Sequence, residues 1–155
     1  NFDHKVESHF LKRKKELDII IYGLIRVNNL NLASELYFRI KEKEETFENL
    51  ATEFSEGLEK KSRGIVGPSP IGKLHPHLAE QLIRSEPGHV NTPQKIGDSF
   101  VITRLETYDP AQLDDFMREK MNNELFNMYI DTKATEMTFD LLEEHISTTQ
   151  HTEQK

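Results

Sequence analysis

The chain has 155 residues, which suffices for one ordinary domain with an added helical element but not for two full domains. With 35% hydrophobic residues and no apolar run near the ~18 residues of a membrane span, membrane insertion is not expected. The net charge of −7 argues against a nucleic acid as partner, because neutralising phosphates requires a surplus of Lys and Arg. The absence of cysteine excludes disulfides, thiolate metal sites and thiol nucleophiles.

The first predicted elements are a helix and a strand. Phe2, Val6 and Phe10 recur at helical spacing between charged residues, which predicts a helix over about residues 3–17. The β-branched run Ile19–Val27 is bounded by an aspartate and an Asn-Asn turn, and it predicts a buried central strand. The polar start of the chain, with no initial Met, suggests a fragment of a longer protein whose targeting segment precedes it.

Alternating helical and extended patterns follow. Two amphipathic segments predict consecutive helices, the second with Thr46 as its N-cap. Residues 57–70 form a predicted loop with a short extended piece, and a third helix is expected to start near Pro76. The turn Glu86-Pro87-Gly88 and a closing strand over Ser99–Leu105 complete the order strand, two helices, short strand, helix, two strands.

The C-terminal part has a different pattern. A long amphipathic helix is predicted after residue 110 and another over residues 136–146, whereas the polar residues 148–155 are predicted to be disordered. All four methionines lie here, and they suit either a surface that accepts varied apolar partners or simple packing against the first helix. The predicted division is an N-terminal helix over 1–17, a central domain over 18–108, C-terminal helices over 109–147 that pack with the first helix, and the tail.

Four motifs between residues 46 and 105 carry a family resemblance: T-F-E-N-L-A-T-E-F-S-E-G, S-R-G-I-V-G, E-P-G-H-V and G-D-S-F-V-I-T-R-L. Over about residues 19–107 the chain resembles the parvulin family of peptidyl-prolyl isomerases. This resemblance implies an α+β fold with a twisted four-stranded sheet and flanking helices. The terminal helices add a likeness to SurA and PrsA type chaperones, especially the cyanobacterial SurA-like group with a single parvulin domain. In that likeness the terminal helices form a chaperone-type helical module. It favours a periplasmic location and leaves a cytoplasmic one open.

The resemblance also identifies candidate site residues. A parvulin site has two strand histidines, and they align here with Tyr22 or Gly23, depending on register, and with Phe100. A parvulin Cys or Asp falls at Gly57, next to Glu56. The apolar residues of the proline pocket correspond to Leu74, Leu78 and Ile83. The catalytic candidates are therefore Tyr22, Glu56 and Phe100, and the substrate-binding candidates are Leu74, Leu78, Ile83 and Phe100.

These replacements predict binding rather than catalysis. Rotation about an X-Pro bond crosses a barrier of roughly 18–20 kcal/mol without a covalent step, so a site accelerates it only by binding the twisted amide preferentially. An apolar seat remains here while both imidazoles are lost, and we expect binding of unfolded or extended clients and proline-containing peptides with weak or no isomerisation. The alternatives are an active isomerase that assists exported proteins and a maturation factor with one dedicated partner. The same apolar residues also fit an ordinary core.

No cofactor or metal is expected. His75 and His77 flank Pro76, but a third and a fourth ligand are lacking nearby. The sequence contains no P-loop, G-x-S-x-G or dinucleotide motif, so nucleotide and hydrolase chemistry are unsupported. The oligomeric state is left open. The binding hypothesis depends on Leu74, Leu78, Ile83 and Phe100 converging on one accessible cavity.

Overall fold

The structure, a computed structural model, describes residues 2–153, and side chains over residues 2–149. The chain forms two compact units, Arg13–Ala111 and, separately, Asn1–Lys12 with Gln112–Lys155. The first of these contains the whole sheet. None of the described helices is long and apolar enough to cross a membrane.

The sheet has four antiparallel strands in the order β2-β1-β4-β3. The strands are β1 (Ile19–Val27), β2 (Ile65–Pro70), β3 (Gln94–Ile96) and β4 (Ser99–Asp109). β1 has the predicted bounds and lies centrally, as a continuous β-branched run requires. β2 lies at an edge, where its prolines cost no ladder hydrogen bond on the open side. The four-stranded α+β architecture is therefore confirmed.

Three helices flank the sheet: α2 (Leu30–Lys41), α3 (Phe47–Phe54) and α4 (Pro76–Ile83). Thr46 caps α3 as predicted, since its hydroxyl accepts the Asn49 N–H at 3.1 Å. Pro76 occupies the start of α4, where its missing N–H has no helical partner to lose. Two short 3₁₀ helices, Leu58–Ser62 and Ile71–Lys73, lie before β2 and α4, and the first falls within the predicted loop.

The two faces of the sheet carry separate cores. Because side chains alternate along a strand, Ile20, Tyr22 and Leu24 belong to a cluster with α4, whereas Ile25 and Val27 belong to a cluster with α2 and α3. The first cluster also includes residues of α4 and β4, namely Leu78, Ala79, Leu82, Val101 and Leu105. The candidate site lies on this α4 face.

The other unit contains the start of α1 (Phe2–Leu17) and the helix α5 (Asp115–Glu153). Val6, Phe10 and Met121 are buried, and His9 Nε2 lies 2.9 Å from the Glu124 carboxylate of α5. Of the other methionines, Met128 and Met137 are exposed.

α5 corrects two expectations. The C-terminal segment is one helix rather than two, and the polar stretch predicted as a disordered tail from residue 148 is helical as far as Glu153. Residues 154 and 155 lie outside the described range. The segment contains no Gly or Pro to end the helix, and Thr149 Oγ1 donates to the His145 carbonyl at 2.9 Å along it. Polar composition by itself was a poor guide because nothing interrupts the helical backbone.

Candidate functional site

A cavity of about 280 Å³ lies between α4 and the sheet, within Arg13–Ala111. Strand β1 contributes Tyr22, Leu24 and Arg26 to its wall. The remaining lining comes from the β2 to α4 segment and from β3 and β4: Ser69, Lys73, Leu74, His75, Leu78, Ile96, Ser99 and Val101. This volume is just below the range of about 300–1,000 Å³ that holds drug-sized ligands, so the cavity has room for a smaller group.

The β1 contribution follows from strand alternation. Tyr22, Leu24 and Arg26 share one face because they are two residues apart. Gly23 lies on the opposite face, where an added Cβ would come within 2.7 Å of the Phe47 ring. The sequence left open whether Tyr22 or Gly23 takes the place of the first strand histidine, and only Tyr22 lies at the cavity.

α4 and the turn before it supply the apolar seat. Leu74 and Leu78 both line the cavity, as the family resemblance implied. Ile83 does not, and its side chain is 49% exposed. It follows Leu78 by five positions, which turns it roughly 140° around the helix from the face that Leu78 presents to the sheet. The expected contribution of Ile83 to the seat is therefore not found.

Phe100 also lies away from the cavity. Its side chain packs against the cluster under α2 and α3, on the opposite face of β4, while the next residue, Val101, lines the cavity. A single position along a strand decides the face. The expected convergence of four apolar side chains is therefore half met: Leu74 and Leu78 converge, and Leu24, Ile96 and Val101 complete the wall in place of Ile83 and Phe100.

The acidic candidate lies elsewhere as well. Glu56 is exposed, and its backbone N–H donates to the Arg26 carbonyl at 2.9 Å. Glu59, three positions later, is the buried acid next to the cavity, with only 3% of its side chain exposed. A glutamate is rarely buried without a partner, and no motif around Glu59 marked it. The sequence signal that was available is Arg26 itself, a charged residue in an apolar strand.

Glu59 and Arg26 form a two-pronged ion pair at the cavity wall. Arg26 Nη2 lies 3.0 Å from Glu59 Oε2, and its Nε donates to Oε1 at 3.3 Å. Ser55 Oγ donates to Oε1 at 2.7 Å, and the Gly57 N–H at 3.2 Å. Burial opposes ionisation of Glu59, but the hydrogen bonds from Arg26 and Ser55 lower its pKa below the ordinary value. Glu59 is thus a carboxylate that fixes the Arg26 guanidinium in place.

Tyr22 is a neutral phenol at this wall. Burial raises its pKa, the Arg26 cation opposes the rise, and the Glu59 carboxylate adds to it. Its hydroxyl therefore keeps its proton at neutral pH and is able to donate or accept a hydrogen bond. Together, Tyr22 and Arg26 place donors beside an apolar seat.

No histidine occurs in β1 or β4, so the strands present no imidazole to the cavity. His75 enters from the turn before α4, and its Nδ1 accepts the His77 N–H at 3.2 Å, which occupies that nitrogen. Among the described residues, no group of three or more His, Asp or Glu is arranged to hold a metal ion. The arrangement is a pocket with an apolar seat and with polar and charged side chains in the rest of its wall.

The four-stranded β2-β1-β4-β3 sheet with its flanking helices agrees with the sequence comparison. A family model for the PPIC-type PPIASE domain, also called rotamase, matches residues 26–107, more than half of the chain. The chain belongs to the PPIC-type rotamase family. No curated protein matches it in sequence.

Several solved structures share the fold at low sequence identity. The chain is similar to the PrsA peptidylprolyl isomerase of Bacillus anthracis, with 21% identity and a TM-score of 0.59 over 79% of this chain and 55% of that one. It is similar to a SurA-like chaperone of Campylobacter jejuni, with 18% identity and a TM-score of 0.57 over 91% and 61%. The parvulin domain of PpiD from E. coli matches with 20% identity and a TM-score of 0.52 over 63% and 95%. The chain spans about half the length of the PrsA protein.

Proposed function

We propose that this rotamase-family protein binds extended segments of unfolded protein clients, with a proline ring in the cavity, and isomerises them weakly or not at all. The observation that carries the proposal is the pairing of an apolar seat from Leu74 and Leu78 with a wall that offers Arg26 and Tyr22 but no strand imidazole. Apolar contact and hydrogen bonds to the peptide supply affinity.

Amide chemistry explains why such a wall favours binding. In a planar amide, resonance moves negative charge onto the carbonyl oxygen, and twisting the bond removes that charge. A cation such as Arg26 next to the carbonyl therefore binds the planar form at least as well as the twisted one. Interactions that do not strengthen in the transition state leave the rate unchanged.

The exposed apolar side chains of α5, in the other unit, also support a chaperone role. Large apolar side chains are exposed along its described part, including Phe126, Tyr129, Phe139, Leu141 and Leu142. Exposed apolar side chains that form a contiguous patch are typical of interaction sites. The C. jejuni relatives are described as SurA-like chaperones, one of them a periplasmic protein, which supports action on exported clients as part of the proposal.

A tetrapeptide assay tests the proposal. We expect a peptide with the core Ala-Ala-Pro-Phe to bind, as seen by titration of cavity-residue resonances in an NMR spectrum. We expect its cis-trans exchange rate to stay close to the uncatalysed rate. Exchange as fast as an active parvulin produces would instead establish the second candidate, an active isomerase.

That second candidate is favoured by one observation, the neutral Tyr22 hydroxyl at the cavity wall. If the site is catalytic, Leu78→Asp abolishes exchange because it destroys the proline seat, and Tyr22→Phe slows it without removing binding. A failure of the tetrapeptide to bind at all would contradict both candidates.

A further inference from the structure

A second, larger cleft lies beside the cavity in the same unit. It has a volume of about 650 Å³ and follows the outer turns of α4 toward the segment that leads into β3. Its lining is polar throughout: His77, Glu80, Gln81, Arg84, Ser85, Glu86, His89, Asn91 and Gln94. Of these residues, only Glu86 and His89 fall within the family motifs quoted from the sequence.

The cleft and the cavity take their linings from neighbouring positions of the same two elements. On α4, Leu78 lines the cavity and Gln81, about one turn later, lines the cleft. On β3, Ile96 lines the cavity and Gln94 lines the cleft, and both point to the same side because they are two residues apart. On both elements an apolar residue of the cavity lies a few positions from an amide residue of the cleft.

The linings of the cavity and the cleft also lie side by side at His75 and His77. The His75 ring lines the cavity, the His77 ring lines the cleft, and their centroids are 5.2 Å apart in an edge contact. A chain segment that leaves the apolar seat along this rim therefore enters the polar cleft directly.

Four of the nine residues that line the cleft, Gln81, Ser85, Asn91 and Gln94, carry a neutral amide or hydroxyl, and the first three are held by hydrogen bonds. Asn91 Nδ2 donates to Ser85 Oγ at 2.9 Å and to Thr103 Oγ1 at 3.0 Å. Thr103 Oγ1 donates in turn to Gln81 Oε1 at 2.9 Å. These hydrogen bonds hold the Gln81, Ser85 and Asn91 side chains in place, which reduces the entropy lost when a neutral polar chain binds to their remaining donors and acceptors.

The charges at the cleft argue against a simple anion site. Glu80 and Arg84 form an ion pair at 2.9 Å, and Glu86 adds a negative charge to the lining. The matching ligand is a neutral polar one, and a peptide backbone offers a donor and an acceptor at each residue.

We propose that this polar cleft is a second subsite, which binds the backbone and polar side chains of the residues that flank the proline in the same client segment. The inference rests on the proposed function. Residues two apart on β3 are about 6.6 Å apart, which is also the length of two residues of an extended peptide. The cleft therefore engages residues that begin about two positions from the proline.

A comparison of peptide lengths tests the subsite. The probes are the Ala-Ala-Pro-Phe core and the same core with four Gly, Ser and Asn residues added at its N-terminal or its C-terminal end. We expect one of the extended peptides to bind about tenfold more tightly than the core, as a few added hydrogen bonds allow. We also expect it to shift the side-chain amide resonances of Gln81, Asn91 and Gln94, which the core leaves in place.

A blocking variant gives the second arm. Glu80→Trp fills the cleft from an exposed position of α4 and is expected to remove the gain of the extended peptide while leaving the core affinity unchanged. Glu53→Trp, on an exposed position of α3, is the matched control for an added indole.

The outcomes separate the two proposals. If the core and both extended peptides bind with equal affinity, the subsite is overturned and the proposed function stands. The same holds if Glu80→Trp weakens the core and the extended peptide by the same factor. A core peptide that does not bind overturns the proposed function and the subsite with it. The amide resonances report on the wild-type protein, so the test does not depend on the folding of a variant.

Discussion

Arg26 and Glu59 are joined by two contacts of 3.0 and 3.3 Å at the wall of the cavity, and they differ sharply in exposure. The Glu59 side chain is 3% exposed, whereas 43% of the Arg26 side chain faces solvent. The carboxylate is thus an internal anchor, and the guanidinium is the exposed group of the pair. This asymmetry makes the stability of the site and its binding separately testable.

Loss of the anchor should destabilise the fold. Glu59→Gln keeps the shape of the side chain but removes the negative charge to which Arg26 and Ser55 donate hydrogen bonds. We expect it to lower the free energy of unfolding by about 1.5–3 kcal/mol. Urea denaturation measures the change. Glu56→Gln is the matched control at an exposed position, with an expected effect within about 0.5 kcal/mol. Equal effects of the two variants would contradict the assigned role of Glu59.

The same carboxylate predicts a loss of stability in acid. The pKa of Glu59 in the folded protein is lowered from 4.5, so its contribution is present above about pH 4.5 and is lost as the pH falls through the folded value. Glu48, which pairs with Arg104, is also lowered in pKa because hydrogen bonding from Arg104 outweighs burial.

Unfolding free energies measured from pH 7 to pH 3 test whether stability falls with the pH as predicted. The wild type should lose stability below about pH 4.5, and Glu59→Gln should lose less over the same range because it has no proton to bind there. Parallel curves for the two proteins would show that Glu59 is not the group that titrates.

Binding should depend on the apolar seat. Leu74→Lys puts a charge into the cavity wall, and we expect it to weaken binding of a labelled proline-containing peptide by about tenfold or more, measured by fluorescence anisotropy. Leu58→Lys makes the same change at a leucine that is 82% exposed and should leave the affinity unchanged. If Leu74→Lys binds like the wild type with a normal thermal melt, the proline does not occupy this cavity.

Tyr108, near the end of β4, should ionise at a higher pH than an ordinary tyrosine. The Tyr108 hydroxyl donates to the Asp18 carboxylate, which also accepts the Ala111 N–H at 2.7 Å. Burial together with the Asp18 hydrogen bond and charge raises the pKa of Tyr108 to about 12. Its contribution to stability is therefore complete below pH 10.0 and is lost as the pH rises through about 12.

Ultraviolet absorbance of tyrosinate measures this titration. Tyr108→Phe should remove a step near pH 12, whereas Tyr22→Phe, at the cavity, should leave that step in place. A wild-type titration curve in which all four tyrosines ionise near pH 10 would contradict the Asp18 contact.

Local signals made part of the fold predictable. The bounds of β1 followed from an uninterrupted β-branched run, and the start of α3 from the capping hydroxyl of Thr46. Both depend on neighbours within a few positions. The continuous α5 helix was missed because its polar composition was weighed above the absence of any residue that ends a helix.

The site was predictable only in part because its residues meet through long-range packing. Leu74 and Leu78 lie in one local segment that keeps the family frame, and both line the cavity. Phe100 and Val101 are adjacent, and only the pairing register of β4 against β1 decides that Val101 faces α4. Glu59 reaches Arg26 across 33 positions, a contact with no local sequence signal.

The sequence by itself determined the family, the order of the elements and the loss of the strand histidines, because each of these is written in residue types at short spacings. Tertiary structure decided which side of β1 and β4 faces α4, which acid is buried, and that a polar cleft is lined by positions next to those of the cavity. Those features depend on how the helices pack onto the sheet, and packing is a property of the whole unit rather than of any short segment.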